Sequence, residues 1–268
     1  MIKDIFQAFL AANISMSDSL TPSHVRDAHA YVCFDQLCRI ELLRPKNRRV
    51  LDIGAGKRFH FADLLEERAD LCILGQDISM AEMEGNASLF ERFACDACET
   101  IPVADSSLDL ILARATIEHL HDVDAFLRLA QRKLRPGGKL IVTFAGKWAT
   151  FAILNRLLPE RAKVAVLHTL VPGSKGLLGF PAHYDHSSFR AFSSAGRAAG
   201  YIEEIGYVSY YGLSYFRFFV PFFLLAYVID TLRLFVGIRN LSSYNTFVFV
   251  CPEPGRQSIG EPTRDSGK

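Results

Sequence analysis

The chain has 268 residues, half of them hydrophobic, and a formal net charge of +1, enough for one large domain with a sizeable core. That balance gives no electrostatic reason to expect nucleic acid as a partner. The six cysteines include one C-x-x-C, Cys95 to Cys98, with no second pair to complete a zinc site, so they read as reduced thiols of a cytoplasmic protein.

Met1 to Ala12 is weakly apolar but lacks a basic region and a small-residue cleavage site, so no signal peptide is expected. Residues 24–43 place Val25, Ala28, Val32, Leu37 and Ile40 near a helical period, and Arg44-Pro45-Lys46-Asn47 ends the run. Val50-Leu51-Asp52-Ile53-Gly54-Ala55-Gly56 then reads as a buried strand over 49–53, carrying an acid, followed by a tight glycine turn. Residues 58–68 suggest a helix (Phe59, Phe61, Ala62, Leu64, Leu65), which would put free amides at a helix N-terminus beside the turn. Asp52 before the first glycine suits a cationic group such as an amine better than a pyrophosphate, and so S-adenosylmethionine better than NAD. Strands are expected at 71–77, 92–96, 108–113 and 139–144, with helices at 79–89 and 122–133 and a turn at Arg135-Pro136-Gly137-Gly138. Such alternation implies right-handed βαβ units and a parallel sheet. Residues 146–180 are long for one connection. They combine Trp148, Phe151, Ile153, Leu154, Leu157, Leu158, Val164, Val166, Leu167 and Leu170 with five basic residues (Lys147, Arg156, Arg161, Lys163, Lys175) against Glu160. A helix at 187–199 and strands at 201–208 and 246–250 follow. Between those strands, Phe218 to Ile229 is uncharged, too short for the ~20 residues that span a bilayer, and fits an interfacial or buried helix.

Four segments in order resemble the class I S-adenosylmethionine-dependent methyltransferases, especially the small-molecule type 11 group: Val50 to Gly56; Gly75-Gln76-Asp77-Ile78-Ser79; Cys95-Asp96-Ala97 with Ile101 to Asp109; and Leu134 to Leu140. The resemblance implies an α/β fold, a Rossmann-like doubly wound seven-stranded sheet, mostly parallel with an antiparallel last strand, bearing N-terminal helices and a helical lid insertion. The expected parts are an N-terminal helical cap (1–46), a cofactor-binding core (47–145), a lid insertion and helix (146–200), C-terminal strands with an apolar helical insertion (201–252) and a disordered tail (253–268).

Asp77 lies 23 residues beyond Gly54, near the ~20-residue offset at which an acid meets ribose hydroxyls. It would serve there with Ile78 beside it. Asp96 and the Ala97 amide would meet adenine, while Asp52, the Gly54-Ala55-Gly56 turn and Arg114 would hold the methionine end. Arg58 stands where the family usually has a third glycine. The candidate catalytic groups are Glu118 and His119, a pair many relatives carry, and Tyr184 within His183-Tyr184-Asp185-His186. The plainer roles for these groups are orienting the loop, or capping the helices at 122 and at 187–199. Ala115 stands where some relatives begin a magnesium-binding Glu-x-x-Glu-His, so no metal is expected.

The two apolar, arginine-flanked regions should lie over the cofactor edge, which suggests an apolar or lipid-linked small-molecule acceptor. They fit either a membrane surface or each other, as a lid core or dimer interface. Two other functions are open. One is an NAD-dependent enzyme, opposed by Asp52 and by Phe59 where a glycine or alanine would be needed. The other is a catalytically silent relative serving as a binding or scaffold subunit, which Arg58 keeps in view.

Overall fold

The computed structural model describes residues 2–157, 159 and 181–253. The greater part of the expected lid, with Leu158, Glu160, Arg161, Lys163, Val164, Val166, Leu167, Leu170 and Lys175, lies outside the described residues, as does the expected tail from residue 254 onward.

Seven strands form one sheet: β1 (Arg49–Ile53), β2 (Cys72–Asp77), β3 (Glu91–Ala94), β4 (Leu108–Arg114), β5 (Leu134–Ala145), β6 (Ile202–Ser209) and β7 (Tyr244–Val250). Their order is β3-β2-β1-β4-β5-β7-β6. β7 runs antiparallel to both neighbours, and the other pairings are parallel. Alternate residues of each strand enter opposite faces, as the two-residue period of a strand requires. Leu108, Ile111 and Ala113 pack on one side against α4 (Val123–Lys133) and α6 (Phe189–Ala198), through Phe126, Leu127 and Phe192. Leu110 and Leu112 pack on the other against α3 (Ala30–Leu42) and the coil that carries Phe59 and Phe61. The sheet is therefore covered on both faces, as near-continuous apolar strands predict.

Several local expectations are corrected. The 24–43 helix is two helices, α2 (Ser23–Asp27) and α3. His29 breaks the run in extended backbone and its ring accepts the Tyr31 N–H, a capping role not signalled by the apolar period. No helix covers 58–68; a single 3₁₀ turn, Ala62–Leu65, forms there. Phe59 and Phe61 are both buried, and two residues apart is a strand's spacing rather than a helix's. Residues 79–89 likewise yield one 3₁₀ turn, Met80–Met83. Gly85 takes φ +77°, and Asn86 turns its side chain back to Gly56 O and the Phe59 N–H. The turn at 135–138 is the irregular start of β5, where pairing jumps from Leu108–Leu134 to Leu110–Lys139.

A third apolar cluster sits off the sheet, on the edge where the parallel strands end. It joins Val25 and Ala30 to Phe151 and Ala152 of α5 (Thr150–Leu157), and to Leu213, Phe216, Phe223, Ala226 and Tyr244. Phe223 and Ala226 belong to α7 (Val220–Val236), the helix that carries the expected apolar run. α1 (Ile2–Leu20) lies against it.

Candidate active site

The Gly54–Gly56 turn leaves β1 between the ends of β2 and β4. Both glycines take positive φ, +69° and +53°, the left-handed region that strains other residues. At Gly54 a side chain is also excluded by contact, since an added Cβ would overlap Thr116 Oγ1. At Gly56 such an atom would meet only Gly54 O, at 3.9 Å, so that side of the turn is open to a ligand. The expected helix N-terminus is absent here, because residues 57–61 are turns. The turn is held instead by side chains. Asp77 Oδ2 accepts the Gly56 N–H at 3.0 Å, while Asn86 Nδ2 donates to Gly56 O at 3.0 Å.

Beside the turn opens a cleft of about 390 Å³. Of the nine expected cofactor residues, Gly54, Gly56, Asp77, Ile78, Asp96, Ala97 and Arg114 line it. Ala55 does not; it is buried against the α3 face of the sheet. Asp52 lies behind the lining rather than in it. Burial, then the Asp77 carboxylate, push its pKa up to about 7, with Arg114 pulling the other way. Asp77 is itself buried and its Oδ1 accepts the Ile78 N–H at 2.8 Å; a carboxylate offers about four acceptor positions, so two remain. Asp96 Oδ1 accepts the Cys98 N–H at 2.8 Å, and its Oδ2 stands 3.5 Å from His121 Nδ1. Asp96, Cys98 and His121 are close enough to share an ion, but burial holds the Cys98 thiol up at about 11. An ion bound there would have to displace the thiol proton, since thiolate is the metal-binding form.

Arg114 ends β4 with its guanidinium 4.2 Å from the centroid of the Tyr31 ring and 3.7 Å from Asp35 Oδ1. Its Nε is buried without a hydrogen-bond partner among the described residues. Tyr31 and Asp35 escape sequence reasoning, since an aromatic and an acid on α3 carry no signal that they lie beneath a strand end. Thr116, Gln76, Pro181 and His183 also reach the cleft; Gln76 and His183 stand inside segments singled out from the sequence.

His119 lines the cleft, and Glu118 and Tyr184 do not. His119 Nδ1 lies 3.1 Å from Pro181 O. A carbonyl can only accept, so that nitrogen carries the proton and the neutral ring keeps Nε2 as the basic position. Glu118 is buried one layer back. Its Oε1 accepts the Ala145 N–H at 3.3 Å, and its Oε2 has no hydrogen-bond partner among the described residues. Burial pushes its carboxyl pKa upward. The Glu118 carbonyl accepts from His183 N–H and Tyr184 N–H, tying the two candidate loops together. Tyr184 packs in the off-sheet cluster at φ +54°, with Arg156 5.7 Å from its ring centroid. The rest of the His183–His186 group caps α4 rather than the helix at 187–199. Asp185 accepts the Val123 N–H at 3.0 Å and holds His186 Nδ1 at 2.8 Å.

A family model of a methyltransferase domain matches residues 24–194. Phosphoethanolamine N-methyltransferase 1 of Arabidopsis thaliana is 32% identical over 110 residues, 38% of this chain and 21% of that protein. A ubiquinone biosynthesis O-methyltransferase of Bradyrhizobium sp. (strain ORS 278) is 34% identical over 119 residues, 39% of this chain and 43% of that one. The chain thus spans well under half the length of these curated relatives. Among solved structures, Haemonchus contortus phosphoethanolamine N-methyltransferase 2 in complex with S-adenosyl-L-methionine superposes with a TM-score of 0.50 at 19% identity, covering 82% of this chain and 52% of that one.

Proposed function

The chain belongs to the methyltransferase-domain family, matched over 24–194, and from that premise we propose that it moves a methyl group from S-adenosylmethionine to a small, apolar or lipid-linked acceptor by in-line displacement. One observation carries the reading. Asp77 and Asp96, from two successive strand ends, line a single cleft around a glycine turn with an open side, and the Asp52 of β1 stands behind that turn. The donor set fits the cofactor. Two acceptor positions left on Asp77 suit a pair of ribose hydroxyls, and Asp96 with the Ala97 amide suits adenine. The Arg114 guanidinium in the cleft lining, whose Nε is ion-paired with Asp35 but makes no hydrogen bond among the described residues, suits a carboxylate, and Asp52 behind the turn suits an ammonium group. Bound there, S-adenosylmethionine supplies an electrophilic methyl group on a sulfonium.

The protein's share of the work is alignment and exclusion of water. Where the acceptor's proton must leave, His119 is the base, through Nε2, with Pro181 O fixing the tautomer. Glu118 and Tyr184 act from behind it. The Glu118 carbonyl holds the 183–184 backbone, and its buried carboxyl accepts the Ala145 N–H at the end of β5. The relatives' printed names include N- and O-methyltransferases, and the acceptor atom follows neither by itself. The apolar reading rests on the off-sheet cluster that covers this edge. With it goes a cytoplasmic protein seated at, and not through, a membrane surface; among the described residues no helix is long and apolar enough to cross one.

Titration calorimetry of the full chain with S-adenosylmethionine and with NAD tests the reading. Binding of the first alone is expected. Binding of NAD alone would replace the cofactor, and binding of neither would make the chain a scaffold.

A further inference from the structure

α7 is apolar on nearly every side. Phe223, Ala226 and Asp230, at i, i+3 and i+7, form its buried stripe. Around the rest of the helix Phe222, Leu225, Val228, Leu232 and Phe235 stand exposed, Phe235 to 90%. None of the exposed positions from Pro221 to Val236 carries a charge. A helix apolar all round belongs inside something, and this one is covered by protein along a single stripe.

α1 repeats the pattern. Ile5, Phe9, Met16 and Leu20 are exposed, and their spacing of four, seven and four puts them on one face. The packed stripe adjoins this face: Leu10 is buried there, Ser17 Oγ donates to Arg217 O at 3.2 Å, and Asn13 Oδ1 accepts the Val220 N–H at 3.0 Å. The two exposed surfaces meet through aromatic rings, Phe9 to Phe219 at 6.5 Å and Phe219 to Phe222 at 5.0 Å.

We propose that α1 and α7 together form a docking surface for an anionic lipid bilayer, lying flat in its interface. The 210–243 excursion that carries α7 starts and ends at one sheet edge, since Ser209 of β6 pairs with Tyr244 of β7, so a single crossing by α7 would leave the chain on the wrong side. The 17 residues of the helix reach only about 26 Å. A fluid phase can wrap a helix that is apolar on three sides, whereas a flat protein partner covers one. Charge adds a small preference for anionic lipid: over residues 2–20 and 205–252 four basic residues (Lys3, Arg217, Arg233, Arg239) stand against three acids (Asp4, Asp18, Asp230), with Arg217 paired to Asp18 and Arg233 to Asp230. The surface flanks the third apolar cluster, over the cofactor edge, and so brings an acceptor dissolved in lipid to the cleft. The inference rests on the lipid-linked acceptor reading for its purpose alone, and its test uses neither cofactor nor acceptor, so either can fail without the other.

The experiment is flotation of the full chain with vesicles of phosphatidylcholine alone and of phosphatidylcholine mixed with phosphatidylglycerol. Wild type should float with the mixed vesicles, less so as salt rises. Leu225→Asp with Phe235→Asp should lower the bound fraction at least tenfold at an unchanged thermal midpoint. Should the double variant fail to fold, Phe235→Asp alone, at the most exposed position, takes its place. No flotation of wild type, or equal flotation of the variant, overturns the proposal. So does sedimentation showing a dimer that the variant dissolves while vesicles bind nothing, which would assign the face to a second copy. Equal flotation on pure phosphatidylcholine overturns the charge component.

Discussion

Replacing Gly54 by alanine perturbs the turn in two separable ways. The position has φ +69°, which costs an L-residue about 1–2 kcal/mol. The new methyl would also overlap Thr116 Oγ1 and lie 2.9 Å from its Cγ2. Such overpacking costs about 1–3 kcal/mol, so the two together come to about 2–5 kcal/mol, short of a typical domain's stability. Thr116→Ala removes both offending atoms and leaves a Cβ contact of 3.3 Å. Its own cost is the one hydroxyl proton that Oγ1 shares between Ile53 O and Arg114 O, about 0.5–1.5 kcal/mol. The double variant should therefore be more stable than the single losses summed, by about 1–3 kcal/mol. Urea unfolding of the four proteins reads this coupling directly, with midpoints shifting at constant slope. Calorimetry on the same proteins should show Gly54→Ala weakening S-adenosylmethionine and Thr116→Ala partly restoring it. Additive stabilities, or unchanged cofactor affinity in a folded Gly54→Ala protein, would refute the account of the turn.

Asp77→Ala should weaken S-adenosylmethionine by about 1.5–3 kcal/mol through lost charge-assisted hydrogen bonds; undiminished affinity in a folded variant removes Asp77 from the site. His119→Ala should lower turnover about 10²–10⁴-fold with cofactor affinity intact, whereas a loss below about tenfold leaves alignment as the whole of catalysis. Asp52, with a folded-state pKa of about 7 against an ordinary 3.8, disfavours its charged form, so its penalty on folding is absent near pH 4, grows as pH rises and is complete above about 7. The stability advantage of Asp52→Asn over wild type should follow that curve in urea unfolding, and an advantage independent of pH would show that Asp52 keeps an ordinary pKa.

The sheet was legible because its strands are apolar runs between punctuating residues, and the sheet's length of five strands up to Phe144 follows from period alone. The acids of the cleft were legible for a related reason: Asp77 is the last residue of β2 and Asp96 stands two residues beyond β3, where a parallel sheet exposes its side chains to a common edge. The helices at 58–68 and 79–89 were misread because both segments answer to each other. Asn86 supplies hydrogen bonds that the backbone of Gly56 and Phe59 would otherwise lack, and no local propensity encodes a partner thirty residues away. Tyr31 beneath Arg114 was hidden for the same reason, since it acquires its role only once α3 is laid against the sheet, whereas His29 caps its own helix through the N–H two residues on, which the apolar period does not signal. Asp185 likewise reads as a cap for the helix that follows it, and serves the one before.

The pairing of Ser209 with Tyr244, sealed by the Ser243 N–H on Ser209 O at 2.9 Å, closes residues 210–243 at their base as a hairpin turn would. Loop-closure entropy grows only with the logarithm of length, so the sheet bears this long excursion at little more cost than a short one. The off-sheet cluster can then open while β6 and β7 stay zipped, giving the protein two tiers of native-state opening. Amides of α7 should exchange with solvent through the shallower tier, and those of Phe247 and Phe249 only through the deeper one. The part of the molecule proposed to meet the acceptor is thereby free to loosen without loosening the part proposed to meet the cofactor.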